Sequence, residues 1–484
     1  MMAVILWTDA LVWLLILTIV TYGWHVSRHA HLAVPWRRVT HSPGGMSGLV
    51  VLLLLVLVGL LDSVHFRLKV DSPDTKTKTA YSTEVQSLLD VAAGHLRTRP
   101  EKTYSAPLAT RSFAKELVES ADGKSLREFP RLRHGGAHLK DEALQQRDVF
   151  VTCLRALALA LVAWCGVAGL IVLLVARHEQ QRVADIWGEV WRGETAVPWR
   201  AVLSTLLALI VAVFTVTALS ANYHVFGTDK VGQDVLYLSL KSIRTGLVIG
   251  TLTTIVTLPF GVFLGLAAGY FRGWVDDVIQ YGYTTLNSIP GVLLIAAAVL
   301  MMQVVLDTHA DFFPTTEQRA DARLLVLCVI LGLTSWTGLA RLLRGETLKL
   351  AQLEYIQAAH AFGVGHLRII MRHILPNVMH IVLIALVMDF SGLVLAEAVL
   401  SYVGVGVDPS MKSFGTMINS ARLEMARDPM VWWSLASAFV FMFLMVLSAN
   451  LFADAVRDAF DPRARTDFRP WRLRMPRLRR LVKP

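Results

Sequence analysis

The sequence predicts an all-α polytopic membrane protein, on three observations. Of its 484 residues, 54% are hydrophobic and only 17% charged, against about a quarter charged in an ordinary soluble domain. The missing charge is concentrated in apolar runs, several longer than the ~18–20 residues that cross a hydrocarbon core. Those runs lack the alternating, roughly ten-residue pattern of an outer-membrane barrel.

Nine runs are predicted as spans, at about 4–24, 48–66, 149–176, 201–221, 246–270, 288–306, 323–343, 379–404 and 430–455. The first lacks a basic start and a small-residue cleavage site, so it reads as a retained helix. Basic residues of the short connections (Arg28, Arg37 and Arg38; Arg177, Arg182, Arg192 and Arg200; Arg344, Lys349, Arg368 and Arg372) fall on one side of the membrane. The arrangement implies an external (periplasmic) N-terminus and a cytoplasmic C-terminus in a bacterial inner membrane.

Residues 67–148 form a long polar segment that this topology places outside, where a loop of such length translocates largely regardless of charge. Amphipathic stretches at 81–96 and 110–120, then Pro130 and Gly135-Gly136 as breakers, predict a small, mostly helical insertion. Asp122-Gly123-Lys124-Ser125 resembles the end of a phosphate-binding loop, but Val118 stands where that loop needs a glycine. Cys153, Cys165 and Cys328 all lie in apolar runs, which supports neither a disulfide framework nor a thiolate metal site.

The formal net charge of +10 comes mostly from the C-terminal end. Arg463, Arg465, Arg469, Arg472, Arg474, Arg477, Arg479, Arg480 and Lys483 face the single acid Asp467. Directly after a span, such a run reads as a cytoplasmic tail on anionic lipid, not as a nucleic-acid surface.

Between the seventh and eighth spans, Glu354-Tyr355-Ile356-Gln357-Ala358-Ala359-His360-Ala361-Phe362-Gly363 reads as a short helix stopped by a glycine cap. A second short helix follows and is expected to end before Pro376, which cannot continue it. Ala358 and Ala359 leave one face nearly bare, so another protein's backbone can approach closely. By spacing alone, a docking element and an ordinary interfacial connector fit this stretch equally.

The same residues resemble the coupling motif of binding-protein-dependent ABC importer permeases: a Glu-Ala-Ala triplet, a glycine, then Leu-Pro. Here the triplet reads Gln357-Ala358-Ala359, followed by Gly363 and Leu375-Pro376. Gln357 departs from the usual acid, and Glu354 stands one turn earlier. His224 to Val235, with Gly227, Thr228, Asp229, Gly232 and Asp234, resembles an external segment of dipeptide and oligopeptide permeases (C-subunit type, including nickel carriers). So do Leu400-Ser401-Tyr402-Val403-Gly404-Val405-Gly406-Val407 and the stretch from Asn450 to Arg463. Three ordered motifs cover roughly residues 224–463, about half of the chain.

The resemblance implies a type I (MetI-like) permease fold over 201–461 with a coupling loop at 353–377. It leaves extra transmembrane helices at 1–66, a periplasmic insertion at 67–148, an extra helix and linker at 149–200, and the basic tail at 462–484. It implies transport, not enzymatic catalysis, with ATP and Mg on two separate ATP-binding subunits and no cofactor in this chain. A second homologous permease and a periplasmic substrate-binding protein are the other implied partners. Glu354, Tyr355, Gln357, Ala358, Ala359 and Gly363 would dock the ATPase, with Pro376 setting the angle into the next span. The substrate, a dipeptide, longer peptide, nickel complex or other solute, is left open.

Gly261, Gly265 and Gly269 form a small-residue stripe suited to close helix packing, within this subunit or against the second permease. Asp389 and Glu397, eight residues apart in an apolar run, are candidate pathway groups, with a structural pairing as the alternative. His360, His366, His373 and His380 share no single face and have no completing ligands for a metal. The alternative function, an ATP-independent secondary transporter or channel, predicts inverted repeats and interrupted spans. No internal repeat is visible, and the coupling element would go unexplained.

Overall fold

The computed structural model describes residues 2–70, 80–82, 84–119, 125–309, 313 and 315–460. Asp122, Gly123 and Lys124, the basic tail, and the Asp461-Pro462-Arg463 end of the last motif lie outside them. In chain order the elements begin with β1 (Met2–Val4), α1 (Trp7–Arg28), α2 (Ala30–Val39), α3 (Pro43–Asp62) and β2 (His65–Arg67). The insertion continues through β3 (Lys69–Val70), β4 (Ala80–Tyr81), β5 (Gln86–Ser87), α4 (Leu88–Ala92), α5 (Gly94–Arg97), β6 (Glu116–Glu119) and β7 (Ser125–Glu128). Then come α6 (Gln145–Glu179), α7 (Val183–Arg192), α8 (Trp199–Ser220), α9 (Val235–Phe271), α10 (Gly273–Ser288), α11 (Gly291–Thr308), α12 (Thr316–Ser335) and α13 (Thr337–Leu350). The chain closes with α14 (Glu354–Ala361), α15 (His366–Ile369), a π-helical turn (Ile370–Ile374), α16 (Leu375–Val403), α17 (Phe414–Glu424) and α18 (Trp433–Phe460).

Among the described residues, nine helices are long and apolar enough to cross a membrane. They coincide with the nine predicted runs, but several begin earlier. α9 starts at Val235, eleven residues before the predicted 246, because Asp234 caps it by accepting the Leu236 N–H at 2.8 Å. At 37 residues α9 is roughly 55 Å long, more than a ~30 Å hydrocarbon core requires. Its first turns therefore extend beyond that thickness, toward the insertion.

The insertion is not mostly helical, contrary to the sequence expectation. Among its described residues α4, α5 and a 3-10 turn at Glu142–Leu144 are the helical pieces before α6, and the rest is irregular turns and short strands, with β1, β2 and β5 forming an antiparallel sheet and β3–β4 and β6–β7 forming two antiparallel pairs. Its backbone groups find partners in the permease loops instead of in helices of their own. The Glu101 N–H reaches the Gly232 carbonyl at 2.9 Å, Leu108 reaches His224 at 2.9 Å, and Gly136 reaches Asn222 at 2.9 Å.

Pairing of β1 with β2 sets Met2 opposite Arg67, so the N-terminus and the insertion share one end of the bundle. Tyr104 of the insertion joins Val235, Leu238, Phe414, Val431 and Trp433 in one buried cluster, which roots the insertion on α9, α17 and α18. The extra N-terminal helices are built in as well. Gly48 of α3 lies so close to α18 that a Cβ would sit 2.7 Å from the Ser448 carbonyl, and Trp36 of α2 stacks edge-on with Phe460 at 5.4 Å.

The glycine stripe of α9 is spent inside the subunit. A Cβ at Gly265 would lie 2.7 Å from the Ala340 carbonyl and 2.8 Å from the Leu343 Cβ, and one at Gly269 would lie 2.6 Å from the Thr347 Cβ. The small residues thus let α13 approach the α9 backbone directly. At the end of the bundle opposite the insertion, Arg344 of α13 holds Asp276 of α10 through two bonds of 2.6 and 2.7 Å.

Candidate coupling and docking site

α14 and α15 project between α13 and α16 at that opposite end, held by a few buried isoleucines. Ile356, Ile369 and Ile374 pack with Leu266, Leu339, Leu343 and Val378. Tyr270 at the end of α9 bonds His366 at 2.9 Å, so the element touches the same long helix that reaches the insertion. The outward face carries Glu354, Tyr355, Gln357 and Ala358, all exposed, while Ala359 is half-buried against the isoleucine core. Glu354 opens α14, where a carboxylate complements the helix dipole. The Gln357 side-chain amide turns back to the Gln352 carbonyl at 3.1 Å.

Gly363 sits at φ +78° with nothing within 4 Å of a Cβ position. Its glycine requirement is therefore conformational, a left-handed cap that lets the Val364 N–H reach the Ala359 carbonyl at 3.1 Å. Phe362 just before it is 87% exposed and Leu367 just after it 75%. Both large apolar side chains thus lie outside the subunit's own core.

Pro376 does not end a helix, which corrects the sequence expectation. α15, the π-helical turn and α16 run on as a single span from His366 to Val403, with Pro376 in the first turn of α16. In a regular α-helix the proline ring would clash with the carbonyl four residues earlier; the wider π turn immediately before it relieves that conflict. Asn377 then ties the element together, donating to the Tyr355 hydroxyl at 3.2 Å.

The external motif residues have structural partners in the insertion. Gly227 and Gly232 adopt φ +70° and +76°, and a Cβ on either would collide with a backbone carbonyl of the insertion, Ser105 or Glu101 respectively. Thr228 accepts the Ser105 N–H at 2.7 Å and donates to the Thr103 carbonyl at 2.8 Å, while the Trp433 indole donates to the Thr228 carbonyl at 2.9 Å. Asp229 closes its own turn by accepting from Val231 and Gln233. Asp234, besides capping α9, bonds His224 Nδ1 at 2.7 Å, and Glu101 of the insertion faces His224 Nε2 at 3.4 Å.

Glu101 also accepts three successive backbone N–H groups, from Arg133, His134 and Gly135. Burial works against its charge, but the His224 bond and these N–H donors outweigh it and lower its pKa to about 2. Burial likewise opposes charge on His224, yet the flanking Asp234 and Glu101 carboxylates raise it to about 9. At neutral pH the ring is an imidazolium donating to both sides.

Asp389 and Glu397 are not brought together. Glu397 is 1% exposed and accepts from Ser401 at 2.6 Å and Ser413 at 2.9 Å, tying α16 to the start of α17. That is the structural alternative for this residue. Asp389 lines a cavity of about 660 Å³ between α13, α16 and α18, together with His380 of α16, Glu346 of α13 and Arg457 of α18.

A buried charge network escaped the sequence reading. Asp9 of α1 meets Arg244 of α9 and, at 2.7 Å, His65. Thr8 bonds Asp321 of α12. Lys241 of α9 reaches Asp62 of α3 at 2.7 Å and Asp90 of the insertion at 3.0 Å. The only sequence signal was a charge near the edge of an apolar run, and the partners lie up to 313 residues apart.

The profile of the family described as "Binding-protein-dependent transport system inner membrane component" matches residues 261–466. The glutathione transport system permease protein GsiD of Pectobacterium atrosepticum is 31% identical over 63% of this chain and 99% of its own length. The oligopeptide transport system permease protein OppC of Mycobacterium bovis is 32% identical over 50% of this chain and 77% of its own. The dipeptide transport system permease protein DppC of Bacillus subtilis is 28% identical over 50% and 69%. Among solved structures, the MetNI methionine ABC transporter in an inward-facing conformation aligns with 47% of this chain and 98% of that one, at 15% identity and a TM-score of 0.36. Nine helices among its described residues are long and apolar enough to cross a membrane, and the chain belongs to the binding-protein-dependent transport system inner membrane components and is a multi-pass permease subunit of an ABC importer.

Proposed function

We propose that the chain forms half of a translocation pathway for peptides or similar small solutes, delivered by a periplasmic binding protein and driven by ATP hydrolysis on separate subunits. One observation carries the reading: α14 and α15 present an exposed face at one end of the bundle, polar along α14 and apolar at Phe362 and Leu367, and rest on α9, α13 and α16 through buried isoleucines. Force applied to that face reaches the transmembrane helices through packed side chains, so the subunit needs no catalytic group of its own.

In this reading two ATP-binding subunits, carrying ATP and Mg, close on each other and shift α14 and α15. A second homologous permease completes the pathway, which Asp389 lines. Glu354, Tyr355, Gln357, Ala358 and Ala359 make the docking face, Gly363 fixes its turn, and Pro376 sets the entry into α16. The N-terminus and insertion are periplasmic and the C-terminus cytoplasmic. The peptide class is supported by the relatives, which are glutathione, oligopeptide and dipeptide permeases.

The test is co-purification and transport. The intact chain should capture an ATPase, and Ala359→Arg or Gly363→Val should abolish capture while leaving the chain folded in the membrane. Peptide uptake into liposomes containing only this chain, without ATP, would refute the proposal.

A further inference from the structure

At the insertion end, a cavity of about 290 Å³ opens between α3, α4–α5 of the insertion, α9, α12 and the loop before α17. That volume lies at the low end of small-molecule sites, ~300–1,000 Å³. Its wall is dense in charge of both signs, and most of that charge is already spent. Lys241 is held by Asp62 and Asp90, Arg244 by Asp9, Arg97 by Glu84, and Asp321 by Thr8.

Two groups remain. Lys412 donates only to the Gln233 side-chain carbonyl, at 3.3 Å, and meets no carboxylate within ion-pair distance among the described residues. Glu317 lines the same cavity and, among the described residues, makes no hydrogen bond or ion pair. Burial, aided by the nearby Lys241 charge, lowers the Lys412 pKa even though Asp229 pulls the other way. An incoming carboxylate would relieve that strain on the ammonium. A ligand of one net sign would meet as much repulsion as attraction from the remaining wall, whereas a molecule carrying both signs satisfies both free groups.

We propose that this cavity is an external recognition site for a small zwitterion of dipeptide size, with Lys412 taking its carboxylate and Glu317 its ammonium. The inference rests on the peptide reading above and adds that part of the selection is made by this chain, with the insertion supplying one wall.

The experiment is a calorimetric titration of the full-length chain in nanodiscs, without binding protein, using dialanine, N-acetyl-dialanine and dialanine amide. Dialanine should bind, and Lys412→Met and Glu317→Gln should each weaken it by about tenfold or more. Lys412→Arg should retain binding. Acetylation should cost affinity in the wild type but nothing further in Glu317→Gln, and amidation should behave likewise with Lys412→Met. Absence of dialanine binding, equal binding of the blocked forms, or indifference to both variants would overturn the site. The wider reading is tested separately by ATP-driven dialanine uptake in proteoliposomes of the whole complex. Uptake without cavity binding rejects only the site, and no uptake of any peptide rejects the peptide reading.

Discussion

The backbone N–H of Glu101 bonds the carbonyl of Gly232 at 2.9 Å, and the same glycine is held at φ +76° with no room for a Cβ. One residue of the insertion and one of the permease loop are therefore fitted to each other at backbone level. The insertion is built into this end of the permease, not an appendage on a tether.

Gly232→Ala should loosen that wall. The left-handed backbone alone costs an alanine roughly 1–2 kcal/mol, and displacing the Glu101 carbonyl adds to it, so a loss of at least about 2 kcal/mol is expected. Gly94→Ala is the control, since nothing lies within 4 Å of a Cβ there. Hydrogen exchange over residues 101–136 should rise in the first variant and stay unchanged in the second. Unaltered exchange in Gly232→Ala would contradict the fitted-backbone account.

The Glu101–His224–Asp234 cluster gives the same contact a pH window. His224 is raised from 6.5 to about 9, so its contribution is complete below pH 6.5 and lost as pH rises through 9. Glu101 is lowered from 4.5 to about 2, so its contribution is complete above pH 4.5 and lost as pH falls through 2. The N–H groups of Arg133, His134 and Gly135 should stay protected between those limits, after correction for intrinsic exchange. His224→Gln should remove the alkaline loss, leaving a weaker but flat profile above pH 7.

The spans were legible because apolar run length is a local property, and so was the short helix Glu354–Ala361 with its left-handed stop at Gly363, which are set within ten residues. The insertion was misread because its backbone donors are satisfied by residues more than a hundred positions away, such as Leu108 with His224. Amphipathic spacing at 81–96 then came from a strand, a cap at Ser87 and two turns of helix. Pro376 misled for a different reason. A stop is the default for proline, and the π turn that absorbs it leaves no signature in residue spacing. The Asp9–Arg244 pair was invisible because neither partner predicts the other at that separation.

The two carboxylates of α16 should behave differently. Glu397 is buried and accepts two serine hydroxyls on the same oxygen, contacts that an amide oxygen can also accept. Glu397→Gln is expected to leave transport within about twofold of wild type, while Glu397→Leu, which takes the acceptor from the buried Ser401 hydroxyl and one of two from Ser413, should cost about 1–3 kcal/mol of stability. Asp389 faces the 660 Å³ cavity, so Asp389→Asn should alter transport with little change in melting temperature. Uptake assays paired with thermal unfolding in detergent separate the two. Loss of transport in Glu397→Gln at unchanged stability would return that residue to the pathway.

The coupling element allows a sharper separation of docking from folding. Phe362 is 87% exposed and Leu367 75%, so their removal takes almost nothing from the subunit's own core. If they fill pockets on the ATPase, Phe362→Ala and Leu367→Ala should each weaken its capture by tenfold or more, about 1.4 kcal/mol, with the melting temperature unchanged. Ile356 is 3% exposed in the isoleucine core. Ile356→Ala should instead destabilise the element by about 2–5 kcal/mol and uncouple ATP hydrolysis from transport even where the ATPase still binds. Gly363→Ala falls between, since only its φ of +78° resists the change, and Gly363→Asn should be tolerated better because asparagine accepts the left-handed cap. Measuring capture, unfolding and substrate-stimulated ATPase activity on the five variants distinguishes a docking face from an ordinary connector. In the connector case, the two exposed substitutions would leave all three measurements unchanged.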